Sequence, residues 1–144
     1  MYQWLVILVL LGIVYDLSQE SLVRQQRMQQ DATVVSTGDS INAYGSAVSN
    51  WSHSNPAFNG TISDVSLNLP SWIYHGNVSN CIQSGSSYIY FTPPAGFPSS
   101  RLASYLASNG NRAGINSNGN LYNGGSPVLT VPACVPNNSV VLVL

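Results

Sequence analysis

Apolar residues follow three successive patterns along this chain, and each pattern predicts a different kind of element. Residues 4–15 are apolar and uncharged, residues 16–40 are largely polar, and residues beyond about 60 form short apolar runs separated by Gly, Pro and Asn. A continuous apolar run predicts a helix in an apolar environment, and short bounded runs predict strands. The pattern therefore predicts an N-terminal helix followed by an antiparallel sheet, an α+β chain.

The first segment is typical of a short membrane anchor with aromatic residues at both ends. Its apolar residues are Trp4, Leu5, Val6, Ile7, Leu8, Val9, Leu10, Leu11, Ile13, Val14 and Tyr15. A 15-residue helix spans roughly 22 Å of a hydrocarbon core about 30 Å thick. A cleaved signal peptide and a buried soluble helix are the alternatives. A signal peptide needs a basic residue before the run and a small-x-small cleavage site after it, and the sequence has neither.

The anchor is predicted to continue as a helical stalk over residues 16–40. Glu20 with Arg24, and Arg27 with Asp31, are pairs of opposite charge at i,i+4, a spacing that supports a helix. Because this stretch is polar nearly all round, we expect solvent on most of its surface.

Beyond the stalk, one helical face is predicted to pack on the body of the protein. Its residues are spaced by three or four positions: Ile41, Tyr44, Val48 and Trp51. Gly38 and Gly45 each cost about 1 kcal/mol in a helix interior, so a bend within residues 37–39 is one possibility. Turn-forming residues over 53–60 end the helix.

Four short runs predict strands, namely Val65–Leu69, Tyr88–Phe91, Val128–Val131 and Ser139–Leu144. The last of them is expected to form an exposed edge of the sheet. Asn118-Gly119, between two short apolar segments, is a strong hairpin signal. Residues 98–108 predict a short helix that stops at Asn109-Gly110. Three regions result: an anchor over 1–15, a stalk over 16–40 and an α+β domain over 41–144.

Charge is scarce and unevenly placed. Charged residues make up 6% of the 144-residue chain, the net charge is −1, and six of the nine charges lie in the first 39 residues. Nucleic-acid binding needs a basic patch, which four arginines spread from Arg24 to Arg112 cannot form. The neutral body is expected to be solvated by Ser, Asn and Gly rather than by charge.

Cys81 and Cys134 are the two cysteines of the chain. One disulfide in an oxidising compartment is the favoured interpretation, and two separate buried thiols are the alternative. The positive-inside rule points the other way, because Arg24 and Arg27 follow the anchor and nothing basic but the chain amine precedes it. We give the cysteines more weight and expect the body in the periplasm.

Signals for catalysis are weak. His53 and His75 have no second metal ligand at helical spacing, so no metal site is expected. Ser52-His53-Ser54 lies in a predicted loop without a companion aspartate pattern, and the chain contains no Gly-x-Ser-x-Gly elbow. We expect no catalytic residue, no cofactor and no small-molecule substrate.

The overall plan resembles a type IV pilin, but a prepilin leader and the glutamate that would follow it are missing. The closer resemblance is to the PilM family of plasmid thin pili and type IVb pilus systems. It rests on the length, the apolar N-terminal segment, the polar continuation Ser18–Met28 and the Gly/Ser/Asn-rich body that ends in a strand. The resemblance implies an inner-membrane protein of the pilin transport apparatus and basal body, without known enzymatic activity.

The expected function is therefore that of an anchored assembly component of a conjugation-linked type IV pilus, in contact with other pilus assembly components in the periplasm. Its oligomeric state is left open. A minor pilin or tip adhesin within the fibre, and an envelope hydrolase, are the alternatives.

Overall fold

The computed structural model describes residues 24–70, 73 and 76–144, and the helical backbone of residues 2–23. Contacts divide the chain into two compact units, Met1–Thr33 and Val34–Leu144. In the first unit the described side chains, residues 24–33, are all exposed. The second unit contains the sheet and the hydrophobic core. The three-region division at residues 15 and 40 stays a prediction.

Three helices and six strands make up the described elements. They are α1 (Tyr2–Ser54), α2 (Asp64–Leu67), β1 (Val78–Gln83), β2 (Ser86–Phe91), α3 (Ser99–Ser108), β3 (Arg112–Ser117), β4 (Asn120–Asn123), β5 (Ser126–Thr130) and β6 (Val140–Val143). The strands form one antiparallel sheet in the order β1-β2-β6-β3-β4-β5. The prediction of an α+β fold with a long helix packed on an antiparallel sheet is confirmed.

The predicted apolar face of α1 packs against the sheet. Ile41, Tyr44 and Val48 are each no more than 1% exposed, and Trp51 packs against the same cluster. The helix is continuous through residues 37–39, so it does not break at Gly38. Gly38 lies directly under the ring of Tyr105 on α3, where an added Cβ would collide with the ring. Here glycine allows two helices to approach closely, and this close approach offsets its low helix propensity.

The expected exposed edge at Ser139–Leu144 is wrong. β6 lies inside the sheet, between β2 and β3, with Val140, Val141 and Leu142 no more than 1% exposed. Both faces of β6 are covered, which explains its nearly continuous apolar sequence. The true edges of the sheet are β1 and β5.

Two further predictions fail for local reasons. Val65–Leu69 is not a strand, because Asp64–Leu67 forms a helical turn that Asn68 ends in a left-handed conformation. Its alternation is accidental, since Val65 is 92% exposed. In contrast, the sequence does not predict β1, because Asn80 is a poor strand former and Ser79 adds no apolar signal. The α3 helix and the Asn118-Gly119 hairpin between β3 and β4 are confirmed.

The two faces of the sheet carry two separate clusters. α1 and α3 cover one face, the inner face, where Ile89, Ala113 and Leu142 join the main core. On the outer face Leu121 and Val141 pack with Val131 and Val135. These two valines belong to residues 131–139, here named the strap, which connects edge strand β5 to central strand β6.

Candidate interaction surface

The strap is held to the outer face by side-chain hydrogen bonds. Asn116 of β3 is 2% exposed, and its Nδ2 donates to the carbonyl oxygens of Val135 at 3.0 Å and Pro136 at 2.9 Å. Its Oδ1 accepts from the Gly119 N–H at 3.1 Å. The Asn116 side chain therefore forms hydrogen bonds to the strap and to the β3–β4 turn at once. Because its polar atoms are paired, this side chain can be buried.

A disulfide ties the strap to the far edge of the sheet. Cys134 in the strap is bonded to Cys81 in β1, with Cα atoms 6.4 Å apart and a sequence separation of 53 residues. Cys81 is 3% exposed. The predicted pairing is present in the structure, and the alternative of two free thiols is wrong.

A second buried asparagine closes the β1 edge. The Asn80 side chain accepts from the Ile62 N–H at 2.8 Å and donates to the Ile62 carbonyl at 2.9 Å. Gly60 and Ile82 exchange two backbone hydrogen bonds of 2.9 and 2.8 Å. The segment before α2 thus covers part of the outward side of β1, where it pairs with the backbone groups of Ile82 and so shortens the edge open to another strand.

Asn80 also donates to the hydroxyl of Tyr44 at 2.7 Å, and that hydroxyl donates to Asp64 Oδ1 at 3.1 Å. The network joins α1, β1 and α2. Burial raises the pKa of Tyr44 to about 12; the nearby Asp64 carboxylate adds to the rise, and the hydrogen bond from Asn80 opposes it. The hydroxyl is therefore neutral and acts as a structural link between elements.

The sequence of β5, the opposite edge of the sheet, disfavours pairing with a strand of another molecule. Pro127 offers no N–H, and the pairing with β4 is interrupted by a bulge opposite Leu121 and Tyr122. Proline and bulges are common devices against edge-to-edge pairing. Val128, 47% exposed, leaves some apolar surface at this edge.

The outer face between β2 and β3 presents a different surface. Cross-strand pairing places Tyr88 beside Val143, and Val143 beside Arg112, in one row across three strands. Tyr90 lies two residues along β2 on the same face. We name these four residues the tyrosine–arginine face. Tyr88, Tyr90 and Val143 are partly exposed and Arg112 is exposed, so the patch is accessible while its backbone is fixed by central strands.

A small pocket lies at the C-terminal end of α1, and His53 is one of the residues that line it. It has a volume of about 170 Å³ and is lined by Ser52, His53, Asn55, Pro56, Ile82 and Gly85. Ser52 and His53 lie in the last turn of α1, so their predicted placement in a loop is wrong. His53 Nδ1 lies 2.7 Å from the Ser49 carbonyl, which can only accept, so Nδ1 carries the hydrogen. The lining includes serine and histidine but no carboxylate.

The other predicted residues are distributed as follows. Within residues 24–70, 73 and 76–144 no group of three metal-ligand side chains lies together. His75 and the anchor side chains from Trp4 to Tyr15 lie outside the described residues. Where side chains are described, the structure contains no helix that is both long and apolar enough to cross a bilayer. The absence of catalysis and of a cofactor stays a prediction.

Sequence reasoning overlooked the asparagines that organise this surface. Asn80 and Asn116 are buried in strands, and nothing in the sequence separates them from the many exposed asparagines of the chain. The tyrosine–arginine face did leave a signal, because Tyr88 and Tyr90 alternate with Ile89 and must share a face. Arg112 joins them only through the pairing of β3 with β6.

Comparison with known proteins places this fold among pilus-related proteins. The family model PilM matches residues 6–143. The crystal structure of PilM from Escherichia coli B7A superposes with a TM-score of 0.58 at 21% identity, covering 81% of this chain and 94% of that chain. A pilM protein from Pseudomonas aeruginosa 2192 gives a TM-score of 0.46 at 29% identity over 76% of this chain and 92% of that chain. A comparison with curated proteins found no match. Because the family model covers nearly the whole sequence, this protein belongs to the PilM family.

Proposed function

We propose that this protein is an inner-membrane-anchored assembly component of a type IV thin pilus, linked to conjugation, with a pilin-like body that acts through contacts in the periplasm. Membership of the PilM family over residues 6–143 is the observation that carries the proposal. It associates the chain with pilus systems, and the specific role, the anchor and the link to conjugation are our extension of it.

The disulfide supports the proposed compartment. A structural disulfide such as Cys81–Cys134 is expected in an oxidising compartment such as the periplasm. The run from Trp4 to Tyr15 supports the anchor, since it is uncharged and has aromatic residues at both ends. A single short span of this kind favours partner helices that shield its mismatch with the bilayer.

The proposed role is structural rather than enzymatic, without cofactor, small-molecule substrate or nucleic acid. Its support is the composition of the body, where a neutral surface is held rigid by buried asparagines and a disulfide. Rigid, neutral and partly aromatic surfaces favour protein contacts, because little conformational entropy is lost when they bind.

Topology is tested by a reporter that is active only in the periplasm, fused at Asp31, combined with thiol labelling of Cys81 and Cys134. We expect reporter activity, and labelling of both cysteines only after reduction. A matched fusion to the N-terminal amine is the control and should be inactive. A silent Asp31 reporter with both thiols labelled without reduction would overturn the anchor, the compartment and the proposed topology together.

The assembly role is tested by deleting the gene and by purifying the protein in gentle detergent. We expect loss of thin pili and of conjugation, and co-purification of other pilus assembly components. Normal pili in the deletion strain, with the protein recovered alone, would overturn the proposal. Recovery in sheared pili would instead support a minor pilin or tip adhesin.

A further inference from the structure

The tyrosine–arginine face carries one cation, Arg112, and none of its four residues is acidic. Residues 65–144 contain Arg101 and Arg112 but no aspartate or glutamate, and the acidic residues of the same compact unit are Asp39 and Asp64. Arg101 has an interaction partner in the structure, whereas Arg112 has neither an ion pair nor a hydrogen bond from its side chain to the described part of the chain. A guanidinium is a planar fork of donors that matches a carboxylate in geometry as well as in charge. The exposed guanidinium of Arg112 is therefore open to water, to solvent ions and to a carboxylate of another molecule.

The surroundings of Arg112 are apolar and aromatic. Val143 separates it from Tyr88 across neighbouring strands, which puts the backbones of Arg112 and Tyr88 about 10 Å apart at the usual strand spacing. Within the described residues, the hydroxyls of Tyr88 and Tyr90 have no hydrogen-bond partner. Tyrosine and arginine are among the residues most enriched where binding energy concentrates in protein interfaces.

This face is also rigid. Three strands of the sheet carry it, and Tyr88 is paired with Cys81, whose disulfide fixes the neighbouring strap. A side chain that is held in place before binding loses less entropy on association. The same surface is too small and has too few cations to hold a nucleic-acid backbone.

We propose that the tyrosine–arginine face is the docking site for a protein segment that presents a carboxylate next to apolar side chains. The carboxylate pairs with Arg112, and the apolar neighbours pack on Tyr88, Tyr90 and Val143. The inference deepens the proposed function, because such a segment would belong to a neighbouring pilus component. Only this identification of the partner rests on the proposed function.

The test is a selection from a random nonapeptide phage library against the full chain in lipid nanodiscs. We expect enrichment of Asp or Glu flanked by aliphatic or aromatic residues. The substitution Arg112→Gln should abolish this enrichment, and it should weaken binding of the selected acidic peptides by about tenfold or more, as expected for a charged hydrogen bond. Arg101→Gln is the matched control, since it removes the other cation of residues 65–144, and it should leave the selection unchanged.

A second pair of variants separates the aromatic contribution. Tyr88→Ala should weaken binding of the selected peptides, whereas Tyr122→Ala, which removes an exposed tyrosine of β4, should not. Selection without acidic enrichment, or acidic enrichment that survives Arg112→Gln, would overturn the inference. Dimers that dissociate on Arg112→Gln would also overturn it, because a second copy of the chain would then be the occupant. Binding of an oligosaccharide such as chitotetraose in place of peptides would overturn it as well.

The selection requires no pilus, so its failure would leave the assembly proposal intact. Conversely, normal pili in the deletion strain would remove the assembly role without changing the result of the selection. The two proposals therefore fail in different experiments.

Discussion

At the residue scale, the side chains that organise this protein are neutral amides and hydroxyls buried where different elements meet. Asn80 joins β1 to the Ile62 backbone and to Tyr44, and Asn116 joins β3 to the strap. Each makes several hydrogen bonds, and no buried side-chain polar atom of the described residues lacks a partner. Buried hydrogen-bonding groups are costly unless they are paired, so these asparagines select one arrangement of the chain.

Tyr44→Phe should destabilise the protein by about 1–3 kcal/mol, because Asn80 then loses a buried acceptor and Asp64 loses a donor. Urea unfolding followed by circular dichroism measures the loss. Tyr105→Phe is the matched control. It removes a hydroxyl that donates to Asp39 at 2.7 Å in an exposed position, where water can replace it, so its effect should be smaller. A larger loss for the control would contradict the buried network.

The same network predicts a pH dependence. Tyr44 ionises near pH 10 in the unfolded chain, while its pKa in the folded protein is raised to about 12. A raised folded pKa means that this contribution to stability is complete below pH 10 and is lost as the pH rises through 12. The free energy of unfolding should therefore fall more steeply between pH 10 and 12 in the wild type than in Tyr44→Phe. Tyr122→Phe should retain the steep fall; equal slopes for all three proteins would refute the prediction.

At the element scale, close packing decides which residues a helix can contain. The sequence assigns Gly38 a cost in helix propensity, but in the structure the glycine creates room for the ring of Tyr105. The two helices meet there, and the Tyr105 hydroxyl then reaches Asp39. A residue that weakens the isolated helix therefore strengthens its contact with α3.

Gly38→Ala should lower the melting temperature, although alanine is the better helix former by about 1 kcal/mol. The added Cβ collides with the Tyr105 ring, and relieving such overpacking costs about 1–3 kcal/mol. In a Tyr105→Ala background the collision is absent, so the same substitution should become neutral or stabilising. Destabilisation of equal size in both backgrounds would show that the ring is not the cause.

At the scale of the whole molecule, the sheet is held from both sides by chain segments far apart in sequence. α1 and α3 cover the inner face, and the strap covers part of the outer face before Cys134 bonds to the opposite edge strand. The disulfide therefore closes a loop that contains β2, α3, β3, β4 and β5.

Replacing both cysteines by serine should lower the free energy of unfolding by about 4 kcal/mol, the loop-closure value for the 53-residue separation of Cys81 and Cys134. Unfolding of the Cys81→Ser/Cys134→Ser double variant in urea measures the change. Wild-type protein unfolded in the presence of a reductant should lose a similar amount, while the reductant should not affect the variant. A double variant as stable as the oxidised wild type would contradict a structural role for the bond.

Local signals were sufficient for several elements. The helical face of Ile41, Tyr44 and Val48, the short helix α3 and the Asn118-Gly119 turn all depend on residues close in sequence. They were predicted because spacing and turn chemistry act over a few residues. The prediction of a strand at Val65–Leu69 is wrong for the same reason, because five alternating residues cannot separate a strand from a helical turn.

The sequence by itself determined the fold class, the single possible disulfide pair and a body almost without charge, because composition and short-range periodicity are properties of the chain. Only the tertiary structure decided that β6 is central and that β1 and β5 are the edges, since pairing between distant strands leaves no local trace. It also decided that Arg112 lies in one row with Val143 and Tyr88. A surface for a partner is assembled from three separate strands, and the register between strands is set by packing of the whole sheet.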